Sequence, residues 1–110
     1  MDHNNRLRAE LDEHEMAALQ RFIVALQQEP HPSTPQVEMD RIFRGPEGQV
    51  FVPVEISGAQ PDVHLAMLME HKADQLYKQS GSRFVLLQRL GRDSNRRSYV
   101  WANGAWQTVP

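Results

Sequence analysis

A chain of 110 residues with 40% hydrophobic and 24% charged residues has the size and make-up of one globular domain, which excludes a wholly disordered polymer. It has no cysteine, so disulfides, thiolate catalysis and cysteine-held zinc are excluded. The net charge of -2 divides into -5 over residues 1–61 (five Arg against ten Asp and Glu) and +3 over residues 62–110 (seven Lys and Arg against four Asp and Glu), a bias too slight for a committed nucleic-acid binder.

In chain order, Leu7, Leu11, Leu19, Phe22, Ile23 and Leu26 recur at helical spacing without Gly or Pro, which predicts an amphipathic helix over residues 6–29. Glu10, Asp12, Glu13 and Glu15 suit its first turns, where the helix dipole attracts negative charge. Three prolines in "PHPSTP" stop it.

"QVEMDRIFRGPEGQVFVPVEIS" predicts two strands around a turn at residues 45–48. Pairing Arg44 with Gln49 puts Val37, Met39 and Phe43 on one core face with Val50, Val52, Val54 and Ile56, and Glu38, Asp40, Arg44 and Glu55 on the other. Arg41 then points inward, which calls for a bulge or a frayed first strand. Pro53 cannot donate to a ladder, so its strand belongs at an edge or at a bulge.

Pro61 and Asp62 open a second helix that runs to Ser80 and is capped by Gly81, with Leu65, Leu68, Met69, Ala73, Leu76 and Tyr77 as its apolar stripe. "RFVLLQRL" is a third strand, apolar on both faces and therefore central. After the loop "GRDSNRR", "SYVWA" and "AWQTV" flank Asn103 and Gly104, the strongest short-range hairpin signal, which sets Ala102 opposite Ala105 and Trp101 opposite Trp106.

The expected architecture is one α+β domain over residues 1–110, ordered helix, strand, strand, helix, three strands. Its sheet has five mostly antiparallel strands packed by two helices, with a spatial order of 2-1-3-4-5. No stretch approaches the ~20 apolar residues of a membrane span, and no secretory pattern opens the chain, so a cytoplasmic protein is expected.

Two constellations carry functional expectations. The first is the C-terminal set of Tyr99, Trp101 and Trp106 with Arg89, Arg92, Arg96 and Arg97. Pairing Leu90 with Ser98 puts the aromatics on one face with Val85, Leu87 and Arg89. They then pack beneath a helix, form a self-association surface, or stack bases while the arginines hold phosphates. The second is Glu38, Asp40 and Glu55, three carboxylates suited to one hard cation such as Mg²⁺, or else a solvated face neutralised by Arg44.

Asp40 and "VEIS", followed by a helix with "QLYKQSG" and an apolar strand, resemble the PD-(D/E)XK nuclease pattern over about residues 40–90. Ser57 stands where that family places its catalytic lysine, and Lys72 is the candidate to reach in from the helix. The resemblance implies a fold relative with impaired chemistry.

His64 and His71 lie seven residues apart on one helix, about 10 Å, too far to share an ion. No nucleophile elbow, dinucleotide fingerprint or phosphate loop is present. The first expectation is thus a non-enzymatic, cofactor-free module that forms a homodimer or binds another protein through the aromatic and arginine face. A Mg²⁺-dependent, nuclease-like enzyme and a weak nucleic-acid binder follow as the alternatives.

Overall fold

The computed structural model describes residues 10–29, 31–58, 60–91, 97–102 and 104–109. Two helices pack a mixed, mostly antiparallel sheet. The elements are α1 (Glu13–Gln28), β1 (Gln36–Val37), β2 (Phe43–Arg44), β3 (Val50–Ile56), α2 (Val63–Ser80), β4 (Phe84–Leu90), β5 (Ser98–Ala102) and β6 (Ala105–Val109). Residues 6–9 of the expected first helix lie outside the described residues.

Each helix begins where a side chain satisfies its orphan amides. Asp12 accepts from the Glu15 N–H and the Glu15 carboxylate accepts from the Asp12 N–H, a reciprocal cap that starts α1. Asp62 accepts from the Leu65 N–H and is the N-cap of α2, so the helix begins after it rather than at Pro61. Gly81, at φ 76°, closes α2 in the left-handed conformation that an L side chain resists.

The sheet runs β1-β3-β4-β5-β6, with β2 also paired to β3. This corrects the expected order. β3 is interior, and it pairs parallel with β4 over seven residues, from Val50 with Phe84 to Ile56 with Leu90. The connection through α2 is long enough for the crossover that a parallel pair requires. The remaining pairings are antiparallel.

Pro53 sits in an interior strand because of what happens opposite it. The Glu38 N–H donates to the Pro53 carbonyl, but Pro53 has no N–H to return. The Glu38 carbonyl instead accepts from the Arg41 N–H, and residues 39–41 coil into a 3-10 turn that splits the first strand into β1 and β2. The irregularity expected at Arg41, as a bulge or a frayed strand, is thus a 3-10 turn that interrupts the strand. Past the turn, Arg44 pairs with Val50, not Gln49, and Phe43 pairs with Phe51. Phe43 thus leaves the core face and stacks on Phe51, with centroids 4.8 Å apart. Met39, also expected inside, is exposed.

Val50, Val52, Val54 and Ile56 of β3 join Phe84, Leu86 and Leu90 of β4 in one core with Leu19, Phe22 and Leu26 of α1 and Leu65, Met69 and Leu76 of α2. Both helices therefore cover the same face. β4 is central, as expected, and both helices lie on one side of it; its other face carries Val85, the fully buried Leu87 and Arg89 beside Phe51, Pro53 and Glu55 of β3. No helix among the described residues is long and apolar enough to cross a membrane.

Candidate functional site

The hairpin register holds as the Asn103-Gly104 signal requires, with Ala102 opposite Ala105 and Trp101 opposite Trp106. The register across residues 91–97 does not. Gln88 pairs with Tyr99 and Arg89 with Ser98, one residue from the expected alignment. A slip of one reverses every side chain. Tyr99, Trp101 and Trp106 consequently share the helix-bearing face with Phe84, Leu86 and Gln88, while Arg89 lies on the opposite face.

On the helix side the rings form a cross-strand cluster. Trp101 and Trp106 meet edge to face at 5.1 Å, and Tyr99 meets Trp106 at 6.5 Å. A cleft of about 250 Å³ separates them from α2, where Ala66 and Ala73 are too small to fill the space beside Met69. Both indoles stay half-buried. The Tyr99 ring packs against the core, so the reading in which aromatics lie beneath a helix describes Tyr99 best.

Arg89 cannot serve the aromatic cluster. Its Nε and Nη2 donate to the two Glu38 oxygens at 2.7 and 2.6 Å, and Nη2 also reaches Glu55 at 3.3 Å. Glu38 and Arg89 are only 12% and 11% exposed, and the carboxylate pushes the Arg89 guanidinium above its usual range. The rings and this arginine, expected on one surface, stand back to back across the sheet. Arg97 is described and exposed; Arg92 and Arg96 lie outside the described residues.

The carboxylate set is brought together in part. Gln36, not Glu38, is the register partner of Glu55, yet Glu38 and Glu55 still converge because Arg89 lies between them. Arg41 adds a contact to Glu38 at 3.3 Å. Asp40 is exposed on the 3-10 turn, and its charge is felt by Arg89. The space between Glu38 and Glu55 is thus held by a guanidinium, and among the described residues no three His, Asp or Glu side chains are arranged to hold a metal ion. Arg44, expected to neutralise this face, lies on the other one with Glu15. Lys72 lines the groove between α1 and α2, across the sheet from Glu38 and Glu55, and the Ser57 hydroxyl donates to the Ser33 carbonyl.

Two polar clusters were not expected from the sequence. Glu15, 2% exposed, accepts from both terminal nitrogens of Arg44 at 3.0 and 3.2 Å. These bonds, with the Asp12 N–H and the Ser82 hydroxyl, outweigh burial and lower its carboxyl to about 2. The pattern Asp12-x-x-Glu15 was the available signal. In the second cluster, His31 Nδ1 lies 3.2 Å from both the Ser33 hydroxyl and Asp62. A catalytic relay uses opposite ring nitrogens. Here one nitrogen makes both contacts, so the group fastens the segment after α1 to the start of α2. Burial pushes the Asp62 carboxyl up, but the Leu65 N–H, the Ser33 hydroxyl and His31 together hold it below its usual range.

The two margins of the sheet differ. One is broken into β1 and β2, two residues each, with Pro35 before them and the 3-10 turn between them. The other is β6, five continuous residues, "AWQTV", without a charge or a proline. No described strand pairs with its outer side. No family model, no curated protein and no solved structure matches the chain.

Proposed function

We propose that the protein is a non-enzymatic interaction module that associates by strand addition along β6, with Trp101 and Trp106 supplying the apolar contact beside it. The observation that carries this reading is the bare outer margin of β6. Natural sheets guard such margins with charge, proline, a bulge or a covering element. β1 and β2 are guarded in this way, and among the described residues β6 has none of these devices. A continuous row of outward N–H and C=O groups next to half-buried indoles supplies both the main-chain and the apolar part of a strand-addition interface.

The test uses light scattering on the full chain with two variants. Thr108 lies opposite Tyr99; alternation from the hydrogen-bonded Ala102–Ala105 pair turns the Thr108 N–H away from β5. Thr108→Pro therefore removes an outward donor and leaves the β5–β6 ladder intact. Gln107→Lys adds an edge charge at an exposed position. The unmodified chain is expected to run as more than one copy, and both variants as single copies with unchanged circular dichroism. A single-copy unmodified chain at millimolar concentration overturns self-association.

A further inference from the structure

We infer that the occupant of the β6 edge is β6 of a second copy, paired antiparallel about a two-fold axis that passes through Gln107. This inference rests on the strand-addition reading and fixes its partner and its register.

The hairpin determines which backbone groups are offered. With two residues in the turn, Ala102 and Ala105 exchange hydrogen bonds, and so do Val100 and Gln107. Trp106 and Thr108 then direct their N–H and C=O groups outward. A symmetric antiparallel partner must present the same two residues. Centring the axis on Gln107 sets Trp106 against the partner's Thr108 and Thr108 against the partner's Trp106, so that all four outward groups of each strand are paired.

Shifting the axis loses bonds. Centred on Thr108, the pairing sets Trp106 against the partner's Pro110, which has no N–H. Centred on Trp106, it sets Thr108 against the partner's Gly104, which in this fold is a turn residue at φ 74° and not extended. Only the Gln107 axis pairs all four outward groups of each strand.

Side chains agree with that register. An aromatic against a β-branched residue is a favourable cross-strand pair, and it occurs twice, on the helix-bearing face. On the other face Gln107 meets the partner's Gln107 at a non-hydrogen-bonded position, where side chains approach most closely. A carboxylate or an ammonium there would face its own like charge. A primary amide donates and accepts, and so is complementary to itself.

The absence of cysteine allows a direct test by single-cysteine crosslinking. Gln107 and Ala105 are both exposed. Gln107→Cys places two thiols across the axis at the separation a disulfide bridges. Ala105→Cys places them four residues apart along the strand, roughly 13 Å at about 3.3 Å per residue, too far to join. Under mild oxidation of the full chain, Gln107→Cys is expected to become a covalent two-copy species at least tenfold faster than Ala105→Cys. Adding Thr108→Pro should abolish the crosslink. If Gln107→Cys crosslinks no faster than Ala105→Cys while light scattering finds two copies, the register is wrong and strand addition stands. If light scattering finds one copy, both fall.

Discussion

Glu15 is a carboxylate placed almost wholly out of water, and it remains charged because Arg44 reaches it from β2 with two donors. Its carboxyl is lowered from the ordinary 4.5 to about 2. The ionised form therefore stabilises the fold above about pH 4.5, and that contribution is lost as the pH falls from 4.5 towards 2. The full shift is discounted for the exposure of Arg44, 36%, which leaves about 2 kcal/mol. Glu15→Gln should lower stability at pH 7 by about that amount and flatten the dependence of the urea midpoint on pH between 4.5 and 2. An unchanged slope across that window would mean that the pair contributes nothing to folding. The cap was legible in "DEHE", since Asp and Glu three apart before an apolar run are a helix-start signature. The Arg44 contact was not, because it joins residues 29 apart and depends on a register that the sequence alone misplaces.

At the scale of elements, α2 is fixed to the sheet by one buried amide. Gln88 of β4 accepts from the Asp62 N–H and donates to the Asp62 carbonyl, each at 2.7 Å, so the side chain pairs the backbone at the helix start as a neighbouring strand would. Gln88→Leu preserves volume and leaves both groups unpaired, for a loss of about 2–3 kcal/mol in urea denaturation. A loss below about 0.5 kcal/mol would show that water replaces the amide. The extents of α2, β3 and β4 and the β5–β6 register were readable because each is closed by a local signal: Asp62 and Gly81, the glycines of residues 45–48, and Asn103-Gly104. Two registers were not. The turn between β2 and β3 holds five residues rather than four, and the loop into β5 is too long to fix an alignment, so each slipped by one position and carried Phe43 and the three aromatic rings to the opposite face. The 3-10 turn was partly visible, since Arg41 and Pro53 both violated the strand pattern at the place where it forms.

For the whole molecule, the consequence of the slip is that both helices lie on one side with the indoles, and the ion-paired Glu38, Arg89 and Glu55 lie on the other. The alternation along the strands made both sheet faces partly apolar, but which face would receive the indoles depended on those two registers. Trp101 and Trp106 are the only tryptophans, so fluorescence reads this region alone. In the proposed pairing the partner's Thr108 covers Trp106. Acrylamide is therefore expected to quench the unmodified chain about half as efficiently as Thr108→Pro. Equal quenching would place the contact away from these rings.

In the proposed pairing, a sheet armoured along β1 and β2 and, among the described residues, bare along β6 has a valence of one. A copy that docks through its bare margin turns only its armoured margin to the solvent, so nothing remains for a third copy to extend. Joining in this way ends at the pair, at concentrations where a strand layer open on both sides would grow into filaments.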